Sequence, residues 1–340
     1  MGYEDRWIPY FLIALVFILG CVISLWVTPL IRRAAINLGI VDRPDNDLKN
    51  HDGPIPYLGG LAIYISFLLS LAMIIDLNRF ALALLLSGSI VLIVGLIDDF
   101  GVLSPSMKLM GQAIAVAVLI KAGIFIKLAF IPWYISFPLS FLWLIGITNA
   151  FNLIDIMDGL SSGVGCITAT ILCAVALLNG RLMIAVVAAA LAGSLLGFLK
   201  YNFHPASIYM GDAGSLFIGL ILGALAMIGS YTTHNTVSCL APVLLLGIPI
   251  FDMLFVMYVR KRRGLPMMLG SPDHFALRLR KWRLSVRQTV LVSYGISLLL
   301  GIFAFVMMFL NDLYAAIILT GIMAATLLVT FFLKKIDMTM

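Results

Sequence analysis

The chain has 340 residues, of which 62% are hydrophobic and 11% are charged. Soluble globular proteins are about half apolar and about one quarter charged, so this composition excludes a soluble enzyme and a disordered or collagen-like chain. The net charge of +6 reflects the Lys and Arg of cytoplasmic loops, and no nucleic-acid partner is expected. The composition therefore predicts an all-α polytopic integral membrane protein.

Eleven segments are candidate membrane-spanning helices, since a span needs about 20 mostly apolar residues. In chain order they are 8–30, 57–75, 80–97, 107–121, 135–148, 160–178, 182–199, 213–230, 239–259, 288–310 and 313–333. The fourth and fifth are short, and the aromatic loop between them is typical of a membrane interface. Because the sequence contains no internal repeat, we predict one transmembrane domain over residues 1–340.

The distribution of basic residues predicts the orientation of these helices. If the N-terminus lies outside, 17 of the 22 Lys and Arg residues fall on the inner side and 5 on the outer side. Inner loops of membrane proteins carry the excess of Lys and Arg. The N-terminus is therefore expected outside and the C-terminus in the cytoplasm.

With this orientation, the acidic clusters that carry candidate site residues all fall near the cytoplasmic face. They are Asp98, Asp99, Asp155, Asp158, Asp212, Asp252 and Asp273. A transporter usually places its ionisable residues near the middle of the bilayer, on broken helices. The one-sided distribution favours an enzyme that works at the cytoplasmic surface. A secondary transporter for a nucleotide sugar or other anion is the alternative.

Asp98 and Asp99 form an adjacent pair of carboxylates at the inner end of the third span. Such a pair is either a solvated helix end or part of a site. In a site, one carboxylate can serve as a general base or accompany a metal-bound phosphate. The pair alone does not separate these interpretations.

A second motif places a polar residue at every third position: Asn149, Asn152, Asp155 and Asp158, followed by Gly159. On an α-helix this series drifts by about 60° per step, whereas a 3₁₀ or partly unwound segment would align all four side chains. Asn and Asp supply hard oxygen ligands. The alternative, that Asp158 is the N-cap of the next helix, accounts for one of the four residues. We therefore favour a functional cluster.

A third motif, Gly211-Asp212-x-Gly214-Ser215, directly precedes the eighth span. A helix N-terminus offers backbone N–H groups and a positive dipole end, which favour a phosphate. Asp212 would repel a bare phosphate but would bind it through Mg²⁺, which typically takes one or two carboxylates. Tyr209 is placed either to stack on a nucleobase or to lie at the membrane interface.

The large inner loop over residues 260–287 combines His274, next to Asp273, with basic residues that include Arg278. Three large apolar residues follow helical spacing, as on a helix that lies in the membrane surface: Phe275, Leu279 and Trp282. Such a surface would attract an anionic lipid headgroup or a nucleotide diphosphate. His274 is a candidate phosphate contact.

The approach to the second span reads His51-x-Gly53-x-x-Pro56-x-x-Gly59-Gly60. Proline and paired glycines give an extended chain and let backbones approach closely. Lys49 and His51 can face a phosphate. A stiff loop with ordinary topology charges explains the same pattern equally well.

In order and spacing, these motifs together with Pro249-x-x-Asp252 resemble the polyprenyl-phosphate N-acetylhexosamine-1-phosphate transferases. The resemblance extends from about residue 40 to about residue 285. It implies a Mg²⁺-dependent enzyme, with Mn²⁺ as the alternative metal, in the plasma membrane with its active site on the cytoplasmic face. Its implied substrates are a UDP-N-acetylhexosamine, most similar to the N-acetylglucosamine branch, and a polyprenyl phosphate. The long terminal spans leave a homodimer open.

The resemblance also implies roles for individual residues. Asp212 would bind the metal with help from Asn152, Asp98 and Asp99 would lie beside the lipid phosphate, and Asp155 and Asp158 would line the nucleotide-sugar pocket. The full set of predicted site residues is catalytic Asp98, Asp99, Asp155 and Asp158; substrate-binding Lys49, His51, Asn149, Asn152, Tyr209, His274 and Arg278; metal-binding Asp212 and Asn152; and the further candidates Asp252 and Asp273.

One stretch departs from the family pattern. The last inner loop of the family often reads His-x-His-His, whereas here only the first His, His274, is present. Arg278 is the candidate replacement for a lost phosphate donor. The branch that uses UDP-N-acetylmuramoyl-pentapeptide carries the multi-His motif, so its absence favours N-acetylglucosamine.

Overall fold

The protein is presented as a computed structural model that describes residues 7–42, 55–74, 78–265, 272–336 and 338. Lys49 and His51 lie outside the described residues, so their predicted phosphate contacts stay predictions. The chain divides into two compact units, Met1–Gly229 and Ser230–Met340, and each unit is described by itself.

The first unit contains eight helices and a short pair of strands within its described residues. The helices are α1 (Ile8–Asn37), α2 (Gly59–Ala72), α3 (Arg79–Asp99), α4 (Pro105–Lys121), α5 (Trp133–Ile154), α6 (Leu160–Leu178), α7 (Leu182–Asn202) and α8 (Gly211–Ile228). The antiparallel strands β1 (Val41–Asp42) and β2 (Ile55–Pro56) pair Val41 with Pro56.

The second unit begins with a 3₁₀ turn over Val237–Leu240. Its helices are α9 (Ala241–Leu245), α10 (Gly247–Arg262), α11 (Phe275–Lys281), α12 (Val286–Met307) and α13 (Asp312–Leu333). The segment Val237–Leu245 and α10 meet at a bend of 79°. The predicted ninth span is therefore a broken helix.

Every segment predicted to span the membrane contains a helix, and the all-α polytopic membrane class is confirmed. Within the described residues, eight helices are long and apolar enough to cross a bilayer: α1, α3, α5, α6, α7, α8, α12 and α13. The bent pair would be a ninth. Helix α2 has 14 residues and α4 has 17, which is shorter than a usual span. The count of eleven stays a prediction.

Helix α8 lies at the centre of the first unit. In its most apolar 18-residue stretch 83% of the residues are buried, against 6% for the corresponding stretch of α13. Residues 213–227 of α8 are all buried, as expected for a helix that is apolar on all sides. The residues at the start of α8 are therefore held by a rigid surround.

Backbone hydrogen bonds join the segment before α8 to the segment that leads into α2. The backbone N–H of Tyr209 donates to Pro56 O at 2.8 Å, and the N–H of Gly59 donates back to Tyr209 O at 2.9 Å. Gly60 N donates to Met210 O at 2.8 Å. A Cβ atom added at Gly60 would lie 2.1 Å from Gly214 N, so this close approach requires glycine. The stiff Pro-Gly-Gly entry thus sets the position of the first turn of α8.

Candidate active site

The ammonium group of Lys108, on the first turn of α4, is surrounded by oxygens from three other helices. Its Nζ lies 2.7 Å from Asp98 Oδ2, 2.5 Å from Asp212 Oδ2 and 3.1 Å from Asn152 Oδ1. Asp98 comes from the end of α3, Asn152 from the end of α5 and Asp212 from the start of α8. Four helix termini therefore converge on one cation at one end of the first unit.

The side-chain amide of Asn152 has a fixed orientation. Its Nδ2 donates to Asp212 Oδ1 at 2.8 Å and to Ser215 Oγ at 3.0 Å. Because the nitrogen faces these acceptors, Oδ1 faces the cation position. Asp212 and Asn152 thus present hard oxygen atoms at adjacent points, and their role as a metal pair stays a prediction.

Asp99 caps the first turn of α8 from the neighbouring helix. Its Oδ1 accepts from Asp212 N at 2.7 Å and its Oδ2 accepts from Ala213 N at 3.3 Å. A carboxylate at a helix N-terminus is favoured by the macrodipole. The sequence expectation that these N–H groups are free for a phosphate is therefore wrong. Gly211, with φ +72°, makes the approach possible, since its Cβ would lie 2.7 Å from Asp99 Oδ2.

The series of polar residues at every third position does not align, because α5 stays α-helical through Ile154 and unwinds only from Asp155. Asp158 faces the loop after α7, where its Oδ2 lies 2.7 Å from His204 Nδ1 and accepts from Ala206 N at 3.1 Å. The expectation of four aligned side chains is therefore wrong.

Asp158 is not the N-cap of α6 either. That position is held by Gly159 at φ +77°. The buried amide of Asn202 accepts from Gly159 N at 3.2 Å and from Ser162 Oγ at 2.7 Å. Asn202 also donates to Ile208 O at 3.1 Å. This one amide ties the α5–α6 turn to the segment that leads into α8.

The Asp155 carboxylate has no hydrogen-bond or ion-pair partner within the described part of the chain. Burial, together with the nearby charges of Asp212, Asp99 and Asp158, holds the pKa of Asp155 well above its usual range. A carboxyl group placed among like charges is unfavourable when ionised. Asp155 is therefore a group with hydrogen-bonding capacity available for a ligand.

Tyr209 lies half-buried between Asp158 and the strand pair. Burial, with the nearby charges of Asp158 and Asp42, raises the pKa of Tyr209 to about 12. The phenol therefore stays protonated at neutral pH. Its backbone is held on both sides by the hydrogen bonds to Pro56 and Gly59.

Asn149 does not face the Lys108 cluster. Its Nδ2 donates to Gln112 Oε1 at 2.7 Å, and Gln112 Nε2 donates back to Asn149 Oδ1 at 3.3 Å. Asn149 Nδ2 also donates to Ile145 O at 2.8 Å. Its predicted direct contact with substrate has no support from this geometry, because its amide is engaged by the neighbouring helix.

In the second unit, Asp252 and His274 form a buried pair. His274 Nδ1 lies 2.6 Å from Asp252 Oδ2, and the N–H of Phe275 donates to Asp252 Oδ1 at 2.9 Å. Asp252 is completely buried and His274 is 4% exposed. The carboxylate orients the imidazole through Nδ1, which leaves Nε2 as the ring nitrogen that can meet a ligand.

Arg278 is a structural residue of the second unit. It is fully buried, and its guanidinium donates to Asp273 Oδ1 at 2.6 Å, to Leu333 O at 2.9 Å and to Ile336 O at 2.6 Å. Asp273 also accepts from Arg263 at 3.1 Å. These bonds hold the end of α13, so the geometry gives no support to Arg278 as a substrate phosphate donor.

The helix predicted to lie in the membrane surface agrees with that prediction only at its C-terminal end. Helix α11 exists, but Phe275 is buried and its ring lies 6.0 Å from that of Phe251. Trp282, by contrast, is 64% exposed. The first of the three apolar residues thus packs inside the unit, and the last faces outward.

Acidic groups outnumber basic groups in the first unit's cluster, as far as the described residues go. Five carboxyl groups lie at this end, those of Asp98, Asp99, Asp155, Asp158 and Asp212, and among the described residues Lys108 and His204 contact them. Within the described residues, no three His, Cys, Asp or Glu side chains converge as a metal centre. Magnesium needs one or two carboxylates and hard oxygens, and the oxygens around Lys108 Nζ are of that type, so the donor set fits Mg²⁺.

Comparison with known proteins places this chain in a family. Residues 81–230 match the model of glycosyl transferase family 4, a stretch that contains every member of the Lys108 cluster. A probable undecaprenyl-phosphate N-acetylglucosaminyl 1-phosphate transferase of Bacillus subtilis is 36% identical over 304 residues, covering 87% of this chain and 85% of the relative. The chain belongs to the polyprenyl-phosphate N-acetylhexosamine-1-phosphate transferase family.

Two further relatives show the breadth of the family. A decaprenyl-phosphate N-acetylglucosaminephosphotransferase of Mycobacterium tuberculosis is 31% identical and covers 90% of this chain and 84% of the relative. A phospho-N-acetylmuramoyl-pentapeptide-transferase of Desulforamulus reducens is 35% identical over 61% of this chain and 68% of the relative. The transferase is thus a multi-pass membrane enzyme of the phosphoglycosyltransferase class, and the transporter alternative has no support.

Sequence reasoning missed two residues of the transferase site, Lys108 and His204, and it gave no role to Ser215 within the third motif or to Gln112, the partner of Asn149. Lys108 was counted only as an inner topology charge. Its signal was its distance from Asp98 and Asp99: a short glycine-containing loop returns the chain, so the first turn of α4 must lie beside the end of α3. His204 carried no comparable signal, because its partner Asp158 lies 46 residues away.

Proposed function

We propose that the enzyme transfers N-acetylglucosamine-1-phosphate from UDP-N-acetylglucosamine to a polyprenyl phosphate such as undecaprenyl phosphate. An oxygen of the lipid phosphate attacks the β-phosphorus of the nucleotide sugar. The bond from the β-phosphorus to the bridging oxygen breaks, and UMP leaves with that oxygen. The product is a polyprenyl-diphosphate-linked sugar, which begins the synthesis of a cell-surface polysaccharide.

The observation that carries this proposal is the cluster around Lys108 in a chain of this family. Phosphoryl transfer depends on positioning and on neutralising phosphate charge. Lys108, Asp98, Asn152 and Asp212 meet at one point with short contacts, at a helix-end surface that substrate can reach. The two relatives named as N-acetylglucosamine-1-phosphate transferases cover most of this chain, which supports the choice of sugar.

The oxygens of Asp212 and Asn152 are the groups that would hold Mg²⁺. Mg²⁺ bound there supplies charge neutralisation of the diphosphate and a template for the in-line transfer. Asn152 donates to Asp212 Oδ1 and to Ser215 Oγ, and Asp99 accepts from the backbone N–H of Asp212. These bonds orient the Asp212 carboxylate, and its Oδ2, which contacts Lys108 Nζ in this structure, is the oxygen that would face the metal.

The remaining residues divide by what they can touch. Lys108 provides a positive charge for the phosphates, and Asp98, beside it, is placed to meet the lipid phosphate. A lipid phosphate is already largely ionised near neutral pH, so Asp98 need not act as a base. Asp155 offers acceptors for sugar or ribose hydroxyl groups, and Tyr209 offers a flat face for the nucleobase. In the second unit, the Asp252–His274 pair supplies an oriented imidazole for a phosphate.

The excess of basic residues on one side supports an orientation in the plasma membrane with the N-terminus outside. The active site would then face the cytoplasm, where nucleotide sugars are made. Under this proposal the short helices α2 and α4 and the bent ninth segment also cross the bilayer, giving eleven spans, and both units serve one transferase.

The test is release of UMP by the purified enzyme in detergent. The assay supplies UDP-N-acetylglucosamine, undecaprenyl phosphate and Mg²⁺, with Asp212→Ala and a metal-chelated sample alongside. We expect UMP release that requires the lipid, the metal and Asp212. A parallel assay with UDP-N-acetylmuramoyl-pentapeptide as donor checks the sugar.

UMP release with UDP-N-acetylmuramoyl-pentapeptide alone would change the proposed sugar substrate but leave the proposed reaction type unchanged. Absence of UMP with every donor, from a folded protein, would overturn the transferase proposal. Full activity in the chelated sample would show that the reaction does not require Mg²⁺.

A further inference from the structure

Helices α4 and α5 are joined by a polar ladder of two rungs. The first rung is the contact of Lys108 Nζ with Asn152 Oδ1 at 3.1 Å. The second is the reciprocal amide pair between Gln112 and Asn149, with distances of 2.7 and 3.3 Å. Gln112 follows Lys108 by four residues, about 6 Å along the helix, and Asn149 precedes Asn152 by three. The second rung therefore lies one helical turn further into the unit.

The amide pair lies among apolar side chains. Gln112 is 1% exposed, and its helical neighbours Ala115, Val116 and Leu119 are completely buried. A buried amide without a partner costs about 1–3 kcal/mol. A register shift of α4 against α5 would separate the two amides and leave the Gln112 amide without this partner, whereas Asn149 would keep its bond to Ile145 O. The pair consequently favours one axial position of α4 over its neighbours, as polar groups between membrane helices can do.

That axial position determines where the Lys108 ammonium lies. Lys108 reaches Asp98, Asp212 and Asn152 together only when the first turn of α4 stands at its observed height. Ser104 caps the helix at its start, but that contact lies within α4 and does not tie α4 to α5. The Gln112–Asn149 pair is thus a second polar contact, outside the cluster itself, that links the height of Lys108 to the helix that carries Asn152.

We propose that Gln112 and Asn149 are positioning residues that set the register of α4 against α5 and thereby place Lys108 in the active site. The proposal rests on the proposed function for its kinetic consequence, but its structural consequence is independent of activity. Under this proposal Asn149 helps to position Lys108 and does not contact the substrate. The proposal also gives Gln112 a role in the transferase.

The experiment compares Gln112→Asn, Asn149→Gln and the double variant that carries both changes. Each single change alters the combined length of the pair by one methylene, and the double variant restores it with the amides exchanged. Ser87→Ala is the control, because Ser87 Oγ is a buried donor to Ala115 O at 2.9 Å between α3 and α4 that does not touch α5. Misplacement by about 1 Å can lower turnover by about 100-fold.

Two measurements are made on each variant. The first is steady-state turnover and KM for both substrates. The second is the rate at which a small amine-reactive reagent labels Lys108 in the substrate-free enzyme, followed by mass spectrometry. The Lys108 side chain is 16% exposed and ion-paired, so correct placement should protect it.

We expect each single variant to lose about 10- to 100-fold in turnover, with KM changed less than about threefold, and to label Lys108 several times faster. The double variant and Ser87→Ala should resemble the wild type in both measurements. A raised KM for UDP-sugar with unchanged turnover would overturn the proposal in favour of direct substrate binding. Unchanged Lys108 labelling in the single variants, or no recovery in the double variant, would also overturn it. If no enzyme form releases UMP while labelling follows the pair, the register role stands and the proposed function fails.

Discussion

Asp98 and Asp99 lie next to each other on the last turn of α3, but their carboxylates have different partners. Asp98 contacts the Lys108 ammonium, whereas Asp99 accepts from the backbone N–H groups of Asp212 and Ala213. A carboxylate that caps a helix contributes to stability as well as to geometry. The two residues should therefore respond differently to the same substitution.

We expect Asp98→Asn to lose most of its transferase activity while its unfolding temperature stays close to that of the wild type. Asp99→Asn should lose activity and also unfold at a lower temperature, since hydrogen bonds to a charged group are worth about 1.5–3 kcal/mol. Thermal unfolding and UMP release, measured in one detergent, check both. Equal unfolding temperatures for the two variants would contradict the capping role.

Asp155 gives a prediction about pH. Its pKa is raised in the folded protein, so the folded state holds this proton more tightly than the unfolded state, whose Asp has a pKa of about 3.9. The free energy of unfolding should then fall as the pH rises from about 4 through the pKa of the folded protein. Asp155→Asn cannot ionise and should remove this fall.

The variant is therefore expected to be more stable than the wild type at neutral pH, by about 2–4 °C for each kcal/mol recovered, and equal to it near pH 4. Its activity should decrease, because functional groups are often placed at the expense of stability. Unfolding temperatures of the metal-free enzyme across this pH range provide the measurement. A wild type that is as stable as the variant at every pH would contradict the unfavourable position of the carboxylate.

Most residues of the site could be predicted from the sequence, but not their partners. The acids near helix ends were visible because charged residues are rare in an apolar chain. Hydrogen bonds of Asp99 to a backbone and of Asn149 to Gln112 depend on helix packing, which no local pattern encodes. Arg278 was predicted to contact a phosphate because its buried partners could not be inferred from the local sequence. In the structure its guanidinium donates to carbonyl groups at the end of α13.

At the scale of elements, the first turn of α8 depends on the contact with α2. Gly60→Ala would place a Cβ atom 2.1 Å from Gly214 N and 2.5 Å from Gly214 Cα. The turn that carries Asp212 would have to move. We expect turnover to fall by about 100-fold, as for a displacement of about 1 Å in a catalytic group.

Gly146→Ala is the matched control, because an added Cβ there meets nothing within 4 Å. Both changes replace a helical Gly by Ala, which alone favours the helix by about 1 kcal/mol. The control variant should keep full activity. UMP release, measured for both variants, is the comparison that tests the prediction. Full activity of Gly60→Ala would show that the close contact does not position Asp212.

The helices themselves were predictable because long apolar stretches leave few alternatives for a backbone in lipid. Their interruptions were not. The break between α9 and α10 occurs in a continuous apolar run, at Leu246. The unwinding after Ile154 was expected, although it begins at Asp155 and not at Asn149, where the polar series starts. Helix interruptions depend on packing and on local capping contacts. Hydropathy indicates only that a segment lies in an apolar environment.

At the scale of the whole molecule, the predicted orientation can be tested with single cysteines. Val102, between α3 and α4, is 70% exposed, and Phe130, between α4 and α5, is 59% exposed. In a background without the four native cysteines, Phe130→Cys should react with a membrane-impermeant maleimide on intact cells, and Val102→Cys should react only after the cells are opened. The opposite pattern would place the acidic cluster outside and contradict a cytoplasmic active site.

The surplus of carboxylates at the substrate end of the first unit has a consequence for the order of addition. Both substrates are anions, and a pair of like charges about 4 Å apart repels by about 4 kcal/mol under the screening typical of a protein surface. Because acidic groups outnumber basic groups among the described residues of this cluster, each substrate binds more favourably when positive charge arrives with it. Under the proposed function, the divalent cation should therefore enter no later than the nucleotide sugar, and the lipid phosphate should follow. Ordered saturation kinetics would be the macroscopic sign of this local imbalance.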